Sequence, residues 1–121
     1  MLNERRQQDT KLNIDFSLGI INLYKLLIQH NEYVLSKQLL RSATSIGADV
    51  EEANAAQTKK EFIQKMSIAS KEASETKYWL RLLDRSQIIK YDYTEYLNKI
   101  EHIINILTKM VKTSQESIMN Q

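Results

Sequence analysis

Apolar residues recur at alternating steps of four and three along four stretches of this chain. The first runs Leu12, Phe16, Gly19, Leu23, Leu26, with Ile20 and Leu27 widening it. The second runs Leu35, Leu39, Ser42, Ile46, Asp49, Ala53, with Ala43 and Val50 beside it. The third is the cleanest: Phe62, Met66, Ala69, Ala73, Thr76, Leu80, Leu83. The fourth runs Tyr93, Leu97, Ile100, Ile104, Leu107, Val111. Such spacing keeps one seam of each helix facing its neighbours at shallow crossing angles. It predicts helices near 12–30, 35–55, 58–86 and 92–115.

The polar residues between the stripes supply stops and starts. Asn31 tolerates the left-handed backbone that ends a helix and is expected to close the first. Ser36 is a candidate cap for the second. Thr58-Lys59-Lys60-Glu61 has the form of a capping box, in which hydroxyl and carboxylate satisfy two N–H groups reciprocally. Asp92-Tyr93-Thr94-Glu95 repeats that logic with Asp as the cap. Connections of a few residues make consecutive helices antiparallel neighbours. The expected fold is all-α, an antiparallel up-down-up-down four-helix bundle over 12–115. A polar, frayed lead-in at 1–11 and a tail at 116–121 flank it.

Composition narrows the field. A chain of 121 residues holds one core. Two glycines and no prolines supply too few turn residues for a sandwich or barrel. Cysteine is absent, which removes disulfides, thiolate metal sites and a cysteine nucleophile. The opening MLNERRQQDT has no apolar h-region, and no apolar run approaches the ~18–20 residues of a membrane span. A soluble, cytoplasmic protein without membrane contact is expected.

Carboxylates at three-residue spacing, Asp49/Glu52 and Glu72/Glu75, invite a metal reading, because di-iron bundles combine inward glutamates with Glu-x-x-His. No Glu-x-x-His exists here, and the two histidines are His30 and His102. With the turn centred near 56–57, facing residues on the second and third helices sum to about 113–114. That register sets Glu72 opposite Arg41 and Ser42, and Asp49 opposite Lys65. Each carboxylate pair then meets a cation before it meets the other pair, so no metal site is expected. Neither histidine sits in a motif with Ser and Asp, and no glycine-rich loop or nucleophile elbow can be built. No catalytic residue, cofactor or small-molecule substrate is expected. Arg41, Ser42, Ser45, Glu72 and Glu75 are instead expected to form a structural polar network, with a partly buried Arg41–Glu72 pair whose spare donors and acceptors the serines take up. Ser42, Ser45, Gly47 and Ala48 are small residues in mid-helix. They either line a ligand cavity or let a neighbouring helix come close, Gly47 being placed to admit bulk such as an aromatic.

The third helix carries a second stripe, Ile68, Glu72, Glu75, Trp79, Leu82, about 100° round from the first. It is either the edge of a broad core face or a subunit interface, where Trp is enriched. On the second reading Ile68, Trp79 and Leu82 are the oligomer contacts. Charge gathers on the same element: residues 58–90 hold 8 Lys+Arg against 4 Asp+Glu, and the rest of the chain is close to balanced. The net charge of +2 is therefore made here. Lys60, Lys71, Lys77, Arg81 and Arg85 form either a solvated face or a candidate nucleic-acid face opposite the core stripe. No aromatic is expected among them, so any RNA or DNA binding would be weak, sequence-independent and carried by phosphates.

Residues 38–53 (QLLRSATSIGADVEEA), 61–65 (EFIQK) and 71–83 (KEASETKYWLRLL) resemble, in order and spacing, the bacterial four helix bundle protein family. Its first members are encoded in intervening sequences inside 23S ribosomal RNA genes. The similarity extends over roughly 12–112. The family's usual Asn-(Val/Ile)-Glu-Glu-(Gly/Ala) segment stands here as Asp49-Val50-Glu51-Glu52-Ala53, with Asp in place of Asn. The resemblance implies a bundle assembled as a homopentameric ring, with no catalytic residues and no cofactor. A related branch, the accessory proteins of diversity-generating retroelements, is more basic and binds nucleic acid and a reverse transcriptase. Two functions are thus expected in competition: an oligomeric scaffold or accessory subunit, and a weak RNA- or DNA-binding accessory protein.

Overall fold

The computed structural model describes residues 2–120. Four helices follow one another: α1 (Leu2–Gln29), α2 (Leu35–Asn54), α3 (Lys59–Ser86) and α4 (Thr94–Met119). Among the described residues there is no strand. Facing side chains fix the directions. Ser42 meets Thr76 while Glu52 meets Lys65, so α2 and α3 are antiparallel. Lys77 meets Glu101 while Lys59 meets Ser117, so α3 and α4 are antiparallel as well. Packing is most extensive between α2 and α3 and slightest between α1 and α4. The expected four-helix bundle is the observed fold.

Its core follows the predicted seams, except that on α4 Ile103 is buried and the predicted Ile104 is only partly buried beside it. Leu39, Ile46, Met66, Leu80, Leu83 and Ile100 are all fully buried, each worth about 1.5–3 kcal/mol relative to exposure. On α1 the buried line is Phe16, Ile20, Leu23 and Leu27, with Leu12 and Leu26 at its rim. The widening positions there are the true centre. Asp49, placed on the α2 seam by spacing, is instead half-buried at its edge.

The ends of the helices hold most of the surprises. α1 begins at Leu2, so the segment expected to be a frayed lead-in is helical. Its Arg, Gln, Glu and Lys residues are good helix formers, and no Gly or Pro interrupts them. α1 stops as expected at Asn31, which adopts the left-handed conformation (φ 66°). Ser36 does not cap α2; it lies buried inside that helix. The cap is the carboxylate of Glu32, which accepts from the N–H groups of Val34, Leu35 and Ser36 at 3.1, 2.8 and 2.6 Å. An acidic acceptor at a helix N-terminus also meets the positive end of the helix dipole.

Thr58 caps α3, its Oγ1 accepting from Glu61 N–H at 3.1 Å. The reciprocal bond is displaced by one residue: Glu61 Oε2 accepts from Gln57 N–H at 3.3 Å. The second capping box does not form. α4 starts at Thr94, and Asp92 Oδ1 accepts the Thr94 N–H at 3.0 Å in a local turn, while Glu95 pairs with Lys99 along α4 at 2.9 Å. α3 ends on a second left-handed residue, Gln87 (φ 46°). Its side-chain amide donates to the carbonyls of Asp84 and Tyr91 and accepts from Tyr91 N–H, which ties the α3–α4 connection into a single loop.

Candidate interaction surfaces on the third helix

The polar network at the α2–α3 seam is built around one guanidinium. Arg41 reaches across to Glu72 at 3.4 Å and more closely to Glu75. Glu75 Oε2 also accepts from the indole N–H of Trp79 at 3.1 Å. The Arg41 side chain is 50% exposed, so this is a surface network and not the partly buried pair expected. The serines belong elsewhere. Ser45 Oγ donates to its own helix at Arg41 O, 2.7 Å. Ser42 is buried, with its Oγ 2.9 Å from Thr76 Oγ1. Thr76 is thus a hydroxyl partner that an apolar stripe concealed.

The register explains these changes. Arg41 with Glu75, Ser42 with Thr76 and Glu52 with Lys65 lie about one turn further along α3 than sums of 113–114 place them. Lys65 consequently pairs with Glu52 at 3.3 Å and not with Asp49. The two carboxylate pairs are also less separate than that register implied. Burial, and after it the charges of Glu52 and Glu72, push the Asp49 carboxyl above its usual value, with Lys65 opposing them. Among the described residues, no three His, Cys, Asp or Glu side chains gather in a way that could hold a metal ion.

The small residues of α2 divide between two neighbours. A Cβ on Gly47 would meet Ser17 Oγ at 3.8 Å and Asn13 Cβ at 3.9 Å, so no aromatic approaches it. The aromatic neighbour is at Gly19, where a Cβ would lie 3.7 Å from Tyr96 Cε1. Gly47 and Ala48 line an open groove of about 340 Å³ between α1 and α2, shared with Ile14, Ser17, Leu18 and Thr44. His30 Nδ1 bonds the Leu26 carbonyl at 2.9 Å, and His102 is exposed on α4.

On α3 the second stripe runs along the edge facing α2. Glu72 and Glu75 turn to Arg41. Trp79 and Leu82 are half-buried, Trp79 against the core, and Ile68 is 39% exposed. Of the five basic candidates, Lys60, Lys71, Arg81 and Arg85 are exposed, and none of the four makes an ion pair with a described residue. Lys77 is half-buried and pairs with Glu101 of α4 at 2.6 Å, so it belongs to the α3–α4 seam. The expectation of no aromatic on that face fails. Tyr78 lies on it, 53% exposed, edge-on to Trp79 with ring centroids 5.2 Å apart. Its spacing was available in the sequence, seven residues from both Lys71 and Arg85.

The family model described as 23S rRNA-intervening sequence protein matches residues 7–109. The chain belongs to that family. A solved structure agrees: a protein of unknown function from the S23 ribosomal protein family of Bacteroides thetaiotaomicron is 42% identical to this member. The match covers 88% of this chain and 97% of that one, with a TM-score of 0.83. No curated protein matches the chain. Among the described residues, no helix of this family member is long and apolar enough to cross a membrane.

Proposed function

We propose that the protein is a non-enzymatic, cytoplasmic homo-oligomer that serves as a scaffold or accessory subunit, with the pentamer implied by family resemblance as its assembly. The observation carrying this reading is the edge of α3. A four-helix bundle needs one apolar seam per helix, and α3 carries a second stripe, in which Ile68 keeps 39% of its surface exposed and Trp79 and Leu82, about three to four turns further along, stay half-buried. Aromatic anchors of this kind dominate association energies, and truncating one costs about 2–4 kcal/mol.

Light scattering on the wild type and on Trp79→Ala and Ile68→Lys tests the reading. The wild type should be oligomeric at tens of micromolar, the concentration chosen for the test. Both variants should shift toward monomer. Trp79 packs on its own core, so circular dichroism must show retained helicity; the exposed Ile68 provides the variant with little folding cost. A monomeric wild type would overturn the oligomer.

A second reading, weak and sequence-independent RNA or DNA binding, is favoured by four α3 cations that have no carboxylate partner among the described residues. Phosphate contacts made by Lys60, Lys71, Arg81 and Arg85 should weaken with salt, with a log–log slope of about −0.7 to −0.9 per phosphate. Reversing Arg81 and Arg85 to Glu should abolish such binding.

A further inference from the structure

The outward face of α3 has an order that charge counting does not reveal. Lys60, Lys71, Tyr78, Arg81 and Arg85 fall on one line of alternating four- and three-residue steps, and the positions between them are Gln64, Ser67 and Ser74. Every residue of that line except Ser67 is exposed, and none is a carboxylate. Of the neighbouring acids, Glu75 is engaged by Arg41 and Trp79 and Glu72 by Arg41, Glu61 accepts from the Gln57 N–H, and half-buried Asp84 beside Arg85 forms no ion pair with a described residue. At 1.5 Å per residue, Lys71 to Arg85 covers about 21 Å along the axis, with Tyr78 midway. The Tyr78 ring is set by its edge contact with Trp79, at 66° between planes, and stays open to solvent.

We propose that this face is a stacking platform for single-stranded nucleic acid, with a base on Tyr78 and phosphates on Lys71, Arg81 and Arg85. It rests on the second reading above and deepens it. Phosphate contacts alone do not distinguish single strands from duplex. An exposed aromatic flanked by cations that have no carboxylate partner among the described residues does, because a base can lie on it only when it has left the duplex stack. Arg81, three residues on, is placed to add cation–π attraction to the same base or ring. Sequence preference should be slight, since every base offers a face.

The test uses the full chain with labelled single-stranded RNA and DNA of about 12 nucleotides and with duplex DNA of the same length, since one to three stacked or contacted nucleotides fit comfortably within it. Single strands should bind more tightly than duplex. Tyr78→Ala should weaken single-strand binding about 5- to 150-fold, the range for loss of one stacked base, and leave duplex binding unchanged. Tyr78→Phe should retain the preference. The chain has one tryptophan, and it touches Tyr78, so its emission should respond to single strands and cease to do so in Tyr78→Ala. Equal affinity for single strands and duplex, insensitive to Tyr78→Ala, would overturn the platform while the phosphate reading stood. Absence of binding at low salt would overturn both. Dissociation of an oligomer by Tyr78→Ala, with binding unaltered, would assign Tyr78 to a subunit contact and overturn the platform.

Discussion

Glu32 and Ser36 hold each other from both ends. The Ser36 N–H donates to the Glu32 carboxylate at 2.6 Å, and the Ser36 hydroxyl donates back to the Glu32 carbonyl at 2.7 Å. Both residues are buried, Glu32 with 7% of its surface exposed. The carboxylate completes its set with the Val34 and Leu35 N–H groups. Glu32→Ala strands three donors at the start of α2. The expected cost is about 2–3 kcal/mol, the upper range for loss of a cap combined with an unsatisfied buried N–H. Glu32→Gln keeps one acceptor oxygen and should cost less. Urea denaturation measures both, and a loss under about 0.5 kcal/mol in Glu32→Ala, the scale of an ordinary surface change, would contradict the cap.

At the α2–α3 seam, Arg41 should couple more strongly to Glu75 than to Glu72. Its closer approach is to Glu75, and the Trp79 indole N–H helps fix that carboxylate. Half of the Arg41 side chain is exposed, so solvent screening holds the coupling to about 0.2–1 kcal/mol, well below a buried pair. Double-mutant cycles with Arg41→Ala against Glu75→Ala and Glu72→Ala should rank the two partners in that order. A larger coupling to Glu72 would mean that the register at this point is one turn nearer to the α2–α3 connection.

The reading from sequence succeeded where periodicity determines structure. The seams of the helices apart from Ile103 on α4, the antiparallel order, the stop at Asn31 and the start at Thr58 follow from spacing and from residues with narrow backbone or capping roles. It failed where a choice depends on the exact offset between helices. Both Glu72 and Glu75 lie within a turn of Arg41, and only packed side chains select the closer one. Ser36 and Asp92 resemble caps locally, but the buried Glu32 carboxylate takes the first N–H groups of α2, and Asp92 closes only a local turn to the Thr94 N–H. Gln87 carries no left-handed preference and is held there by its own side-chain bonds to the loop. The small residues 42–48 were visible, yet their division between Thr76 on α3 and Ser17 on α1 was not.

Asp49 stands where the resembled family more often has Asn, and the structure supplies a reason to prefer the amide. Burial, then Glu52 and Glu72, raise its carboxyl above the usual value of 3.8. A carboxyl raised in the folded state is more costly to keep ionised there than in the unfolded chain, so it detracts from stability at neutral pH. That loss is relieved as pH falls through the raised value. Asp49→Asn should therefore stabilise the protein at pH 7 by about half a kcal/mol, the scale of a screened surface charge. The gain should vanish on acidification below the folded-state value. Thermal denaturation at neutral and acidic pH tests this, and a gain independent of pH would point to packing in place of charge.

Tyr93 provides the corresponding test at alkaline pH. It is fully buried at the start of α4, and its hydroxyl donates to the Ile89 carbonyl at 2.9 Å. Burial first, then the negative charges of Asp84 and Glu32 and the neighbouring Tyr91, push its pKa from 10.0 to about 12. Between those values an unfolded Tyr93 has lost its proton and the folded one has kept it. The folded state then binds more protons, so stability falls as pH rises through that window. Tyr93→Phe removes the titration along with the hydrogen bond. At pH 8 it should be less stable than the wild type by about 1 kcal/mol. By pH 11 the difference should narrow, because only the wild type loses this contribution. Urea midpoints of the two proteins at pH 8, 10 and 11 measure the gap. A gap that stays constant across them would show that the Tyr93 hydroxyl ionises as readily in the bundle as in water, which its burial and its bond to Ile89 do not allow.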